Sequence, residues 1–294
     1  MRQFAIGDIH GCAKALRALL ESIDPQPEDE FVFLGDYIDR GPNSRDVIEQ
    51  LIQLQQLSKV VALRGNHEIM MLGVVLGGLD PKLWLASGGV ATLSSYGGSL
   101  RKLPASHLEF FQSLLPYHET DSQIFVHASY RHDRDMVDQD ESDLYWTHLM
   151  APPPPHVSGK RVYVGHTPQT SGNVLDLGHL VCVDTYCFGR GYLTALETTR
   201  GDCYQFDASG FRRRASGIPL WQRLRWLSRT ARRWYDQRRP LALRSSKADE
   251  GESLAGKLES GQLERPVPGE RELDVTDVEA VSKTNALSPQ HGSA

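Results

Sequence analysis

The chain has 294 residues, 40% of them hydrophobic and 23% charged, the composition of a globular protein long enough for one sizeable core. A net charge of −5 argues against a general polyanion binder, and four cysteines without a Cys-x-x-Cys pair argue against a zinc ribbon or dithiol centre. There is no run of about 18 apolar residues, and Met1 to Ile6 leads straight into Gly7-Asp8, so neither a membrane span nor a leader is expected and a cytoplasmic setting is the default.

Phe4 to Ile6, Phe31 to Leu34 and Val60 to Leu63 are apolar runs of strand length. Ala13 to Ser22 and Ser44 to Leu57 lie between them, the second with Val47, Ile48, Leu51, Leu54 and Leu57 at helical spacing. This β-α-β-α-β opening predicts right-handed crossovers in a largely parallel region. Residues 68–115 predict a mainly helical, cap-like insertion, broken at Ser87-Gly88-Gly89 and at Gly97-Gly98. The later runs, Ile124 to Val126, Val162 to Val164, Leu180 to Val183, Leu193 to Leu196 and Tyr204 to Phe206, come without helices between them and predict a more antiparallel second half. The class that fits both halves is α/β (α+β), a two-sheet core with helices outside. Pro152 to Pro155 reads as an exposed polyproline spacer.

Composition shifts after Asp207. From Phe211 to Arg239 there are ten arginines and one acid, Asp236. Leu220, Leu224, Leu227, Ala231 and Trp234 form an apolar stripe flanked by Trp221, Trp226 and Tyr235. Residues 209–240 therefore predict a basic amphipathic helix, either packed on the acidic body or touching an anionic membrane peripherally through 219–239. Residues 241–294 predict a disordered tail. From 246 onward it has no aromatic residue on which a base could stack, so no specific nucleic-acid partner is expected.

The chemistry gathers at strand ends. Phe4-Ala5-Ile6 runs into Gly7-Asp8-Ile9-His10-Gly11, Phe31 to Leu34 into Gly35-Asp36-Tyr37-Ile38-Asp39-Arg40-Gly41, and Val60 to Leu63 into Arg64-Gly65-Asn66-His67-Glu68. Two later runs end in His127 and in Gly165-His166-Thr167-Pro168. Polar residues at the carboxyl ends of separate strands converge in such sheets although they are far apart in the chain. Each such residue alone is usually a cap or turn former; five strand ends of this kind are not explained that way. The set Asp8, His10, Asp36, Asn66, His127 and His166 offers oxygen and imidazole donors without thiolate, which suits Mn, Fe or Zn. Six donors are too many for one catalytic ion that keeps an open position. They suit two ions about 3.5–4 Å apart sharing a carboxylate.

These strings resemble the phosphoprotein phosphatase family within the calcineurin-like metallophosphoesterases, and its bacterial serine/threonine phosphatase branch most. Trp84, Gly88-Gly89, Thr92-Leu93 and Ser95-Tyr96-Gly97 resemble a further stretch of that branch, and Val183-Asp184-Thr185 with Leu193-Thr194-Ala195-Leu196 its closing strands. The resemblance covers about residues 2–206 and implies a catalytic domain at 1–208 with the metallophosphoesterase fold, a two-sheet β-sandwich flanked by helices. It implies two divalent ions, manganese first: Asp8, His10 and Asp36 on one, and Asp36 as the bridge to a second completed by Asn66, His127 and His166. It further implies His67 as general acid, Asp39 orienting it, and Arg40 and Asn66 on the substrate phosphate. The expected substrate is then a phosphoserine or phosphothreonine protein or peptide. A symmetrical dinucleoside polyphosphate hydrolase of the same fold is the alternative, and a catalytically weak metal-binding adaptor tethered by the basic helix is an alternative of another class.

The chain departs from the family pattern in three places. His127-Ala128-Ser129 stands where His-Gly is usual, and Cys187-Phe188-Gly189-Arg190-Gly191 replaces a turn of small residues. Trp146-Thr147-His148 stands where Trp-x-Arg supplies a second phosphate clamp. His148 is one replacement for that contact, and Arg131, Arg134 or Arg190 are others.

Overall fold

Side chains along the first strands alternate between two buried environments, and this alternation builds the molecule in layers. A computed structural model describes residues 1–213. In β1 (Gln3–Ile6) and β2 (Glu30–Phe33), Phe4, Ile6, Phe31 and Phe33 join a core shared with two helices, while Ala5 and Val32 join a core shared with a second sheet. The helices are α1 (Ala13–Ile23) and α2 (Ser44–Leu54), which bury Leu16, Leu19 and Ile23, and Val47, Ile48, Leu51 and Leu54. Leu51 is fully buried, so truncating it to alanine would cost about 2–5 kcal/mol. The predicted helix to Leu57 is too long: the chain reverses after Leu54 to enter β3 (Lys59–Ala62), leaving Leu57 62% exposed.

The insertion holds α3 (Asn66–Val75), α4 (Lys82–Trp84), a π-helical turn at Leu85–Gly89, α5 (Val90–Ser95) and α6 (Ala105–Gln112). Gly88 takes φ 110° inside that turn, and its carbonyl accepts the Arg40 N–H at 3.1 Å. A Cβ on Gly89 would meet the Trp84 indole at 2.5 Å. The insertion is thus tied to the loop after β2.

The second half holds β4 (Tyr117–Glu119), β5 (Gln123–Val126), α7 (Glu141–Tyr145), β6 (Arg161–Val164), β7 (Leu175–Asp176), β8 (Leu180–Cys182), β9 (Leu193–Glu197) and β10 (Cys203–Phe206). Two five-stranded sheets result, in the orders β10-β9-β1-β2-β3 and β4-β5-β6-β8-β7. The first sheet is parallel through β1-β2-β3, with β9 and β10 antiparallel. The pairings of β9 and β10 agree with the expectation of a more antiparallel second half, and the second sheet departs from it in part. Its centre, β5-β6-β8, is parallel, and only the edges β4 and β7 are antiparallel. The β5-to-β6 crossover uses irregular backbone and the short α7, so it lacks the helical period that marked the first half. Phe125 stacks on Tyr163 at 5.1 Å in the layer between the sheets, with Val181 and Val183, opposite Leu34, Val61 and Leu63.

The result is an α/β fold of two mixed sheets flanked by helices. The polyproline stretch is pinned at two carbonyls: Pro154 accepts from the Tyr130 hydroxyl and Pro153 from the His179 ring. From residue 214 on, the predicted basic helix and the tail lie outside the described residues. Among the described residues no helix is long and apolar enough to cross a membrane.

Candidate metal centre

Six parallel strands, three from each sheet, end toward one site. Asp8, Asp36 and Asn66 follow β1, β2 and β3; His127, His166 and Asp184 follow β5, β6 and β8. Tight turns are needed to aim them. Among the described residues seven non-glycines have positive φ, and five are predicted site residues: His10 at 46°, Asp36 at 53°, Asp39 at 71°, Arg40 at 67° and His166 at 58°. A left-handed backbone costs about 1–2 kcal/mol per residue, so the strain is concentrated at the site and must be held by packing. Gly65 caps α3, and a Cβ there would collide with the Asp36 carboxylate.

The structure brings all six predicted metal-ligating residues together. His10 Nε2 lies 3.5 Å from Asp36 Oδ2 and 4.0 Å from Asp8 Oδ2, and His127 Nε2 lies 3.5 Å from Asp36 Oδ1. Asn66 Oδ1 stands 3.2 Å from His127 Nε2, and both Asp8 oxygens accept the His166 N–H at 3.1 Å. Ligand atoms gather in two groups, His10-Asp36-His67 and Asp36-His127-His166, each within 4.8 Å. Asp36 therefore presents one oxygen to each side.

Hydrogen bonds set the imidazole tautomers. His10 Nδ1 donates to the Ile38 carbonyl at 2.9 Å, His127 Nδ1 to Leu34 at 2.7 Å, and His166 Nε2 to Trp146 at 3.2 Å. Fixing one ring N–H on a carbonyl leaves the other nitrogen a lone pair, as in metal-binding histidines. The His127 lone pair faces the Asn66 amide oxygen, an arrangement of two acceptors that a cation would satisfy. Burial lowers the pKa of His10, His127 and His166, the last to about 3, so all three are neutral donors. Burial and then neighbouring Asp184 and Asp36 push Asp8 well up. The Asp36 carboxyl is held down against its burial by charge on the surrounding imidazoles, His127 first and then His67, and of these His67 is the one whose own pKa is raised. Crowded buried carboxylates beside neutral imidazoles fit divalent cations.

His67 differs. Its Nδ1 donates to a carboxylate, Asp39 Oδ2, at 2.7 Å. Burial lowers its pKa, but Asp36 and the Asp39 hydrogen bond prevail and raise it. Asp39 is fully buried and takes three donors, from His67, from Trp84 Nε1 at 2.9 Å and from Thr92 Oγ1 at 2.6 Å. Arg40 Nη1 donates to the His10 Nε2 lone pair at 3.0 Å, and its guanidinium lies 4.4 Å over the Phe188 ring. An ion on His10 would require that guanidinium to turn away, freeing its planar fork. His148 is exposed and stacks on His166 at 4.3 Å. Arg131 and Arg134 instead pair with Asp133 at 3.4 Å and Asp140 at 3.1 Å. Arg190 is exposed beside an open hollow of about 290 Å³ lined with Asp207 and Ser209.

Sequence reasoning gave no role to five contributors. Glu68 accepts the N–H groups of Asp36 and Tyr37 at 2.9 Å and of Gly65 at 3.0 Å, tying the β2 and β3 loops together. Trp84 and Thr92 orient Asp39 from the insertion, and Phe188 supports Arg40. Asp184 carried a readable signal, an acid directly after an apolar strand; the others act through contacts between distant segments that no local pattern records.

A family model described as calcineurin-like phosphoesterase matches residues 1–193. A symmetrical bis(5'-nucleosyl)-tetraphosphatase of Janthinobacterium sp. (strain Marseille) is 38% identical over 78 residues, 26% of this chain and 28% of that protein. A candidate serine/threonine-protein phosphatase of Caenorhabditis elegans is 41% identical over 73 residues, 24% of this chain and 16% of that protein. The matched spans thus take in 28% and 16% of these relatives' own length. A crystal structure described as a candidate diadenosine tetraphosphatase superposes with TM-score 0.53 at 20% identity, covering 69% of this chain and 92% of that one, a likeness of fold.

Proposed function

The chain belongs to the calcineurin-like phosphoesterase family, and we propose that its cage around Asp36 holds two divalent ions for the hydrolysis of phosphoric esters or anhydrides. The observation that carries this reading is the pair of ligand groups sharing Asp36. Two such ions, when bound, lower the pKa of water and neutralise charge on the attacking and leaving oxygens. Asp8 and His10 serve one position, and Asn66, His127 and His166 the other, with Asp36 between them. Manganese suits these donors, as do iron and zinc. His67 delivers a proton from Nε2 to the leaving oxygen, and Asp39 holds its Nδ1. Arg40 grips phosphate oxygens with its fork, Asn66 lies beside them, and His148 offers a further contact.

For the substrate, the names of the bacterial relatives favour a symmetrical dinucleoside tetraphosphate. That reading is placed ahead of the phosphoserine or phosphothreonine that the motif strings suggest by themselves. The second reading is kept because the Caenorhabditis relative is 41% identical over a similar span. The two part in one experiment: the full chain with Mn²⁺ is offered diadenosine tetraphosphate and a phosphothreonine peptide at equal concentration. ADP as the sole nucleotide product, at a kcat/KM well above that for the peptide, supports the first reading. The reverse preference supports the second, and turnover of neither removes both and leaves the adaptor.

A further inference from the structure

The strand ends around the site deliver one polar group for which the proposed chemistry has no task. Asp184 follows β8, whose neighbour β6 delivers His166. It is 1% exposed. Its Oδ1 accepts the Tyr186 N–H at 3.0 Å, which holds Tyr186 at φ 67°. Its Oδ2 has no hydrogen-bond partner. The backbone here is pressed against the loop that carries Asp8: a Cβ on Gly7 would strike the Val183 carbonyl and stand 3.1 Å from Asp184 N. A buried carboxylate oxygen without a donor is costly, and the acids beside it, Asp8 and Asp36, cannot supply one as carboxylates.

The two ion positions are also unequally provided. The Asn66 side has Asp36, Asn66, His127 and His166, whereas the Asp8 side has only Asp8, His10 and Asp36. Asp8 Oδ2 stands 4.0 Å from His10 Nε2, and Asp184 is a charged neighbour of Asp8 on that same side. We propose that Asp184 is an outer carboxylate of the ion position at Asp8 and His10, its Oδ2 accepting a hydrogen bond from a water held there. Outer partners of this kind orient what the ion holds and tune its affinity. The inference rests on the two-ion reading above, but it is tested without substrate.

The full chain is stripped with a chelator, and Mn²⁺ binding is followed by calorimetry and by the electron paramagnetic resonance signal of the paired ions. Asp184→Asn keeps an oxygen for the Tyr186 N–H and removes the charge. Asp184→Ala removes both. Both variants are expected to lose about 10–100-fold in affinity for one Mn²⁺ while the other binds as in the parent. The paired-ion signal should weaken at limiting Mn²⁺, and only the alanine variant should also melt earlier. An asparagine variant that binds both ions with parental affinity, the loss being confined to alanine, would reduce Asp184 to a loop anchor and overturn the proposal. A parent that takes up no second Mn²⁺ is a different failure, since it removes the two-ion reading itself and this inference with it.

Discussion

Replacing Asp39 with asparagine probes the acid at its support. The carboxylate is fully buried and takes three donors, from His67, Trp84 and Thr92. Asparagine has one acceptor oxygen, so its amide N–H must face one of those donors. A hydrogen bond to a charged group contributes about 1.5–3 kcal/mol, and at about 1.4 kcal/mol per pKa unit its loss lowers the His67 pKa by about 1–2 units. The sign follows from the raised value: the imidazolium is present below its folded pKa and is lost as pH rises through it. Asp39→Asn therefore moves the alkaline limb of the kcat profile to lower pH by about 1–2 units. The size of the rate effect depends on the leaving group. An alkyl phosphate, which needs the proton, should lose about 10²–10⁴-fold in kcat, and 4-nitrophenyl phosphate, whose leaving group is stable as an anion, much less. The assay is steady-state turnover of both substrates across pH, with thermal melting to confirm the fold. Equal losses on the two substrates with an unmoved alkaline limb would refute the reasoning.

Three further outcomes follow from the same geometry. Chelation should abolish hydrolysis and lower Tm, and Mn²⁺ should restore both at two equivalents per chain by elemental analysis; at 100 Kd of free metal each ion contributes about 2.7 kcal/mol. Glu68→Gln turns an amide donor against the N–H groups of Asp36, Tyr37 or Gly65, so denaturant melts should show a loss of about 1–3 kcal/mol together with weaker metal binding. Arg40→Lys keeps the charge but loses the fork and the Phe188 stack, so inhibition by inorganic phosphate should weaken about tenfold while two Mn²⁺ still bind.

The fold class was legible because its signals are local. The alternation in Phe4 to Ile6 and Phe31 to Leu34 and the period of Val47, Ile48, Leu51 and Leu54 each need only a short window of sequence. The six residues brought together at the site stood out for the same reason, since they follow five apolar runs. The parallel centre of the second sheet was not, because strand direction is set by a crossover without a regular helix. Nor was the hold of Trp84 and Thr92 on Asp39, although the resemblance marked both residues: a hydrogen bond from residue 92 to residue 39 depends on the route of the intervening chain, which Gly88 and Gly89 set by a turn and a close approach. Phe188 was marked only as a departure from a pattern, since its partner, the Arg40 guanidinium, comes from another sheet's loop.

The cage straddles a seam. One sheet contributes Asp8, Asp36 and Asn66, the other His127 and His166, and the layer between them is apolar, with Phe125 and Tyr163 at its middle. Any ion bound there acts as a rivet between two plates, and its retention gauges how well the plates are registered. Damage far from the chemistry, such as a void left beneath Tyr163, should then surface first as a leaking ion, before any loss of helix or strand.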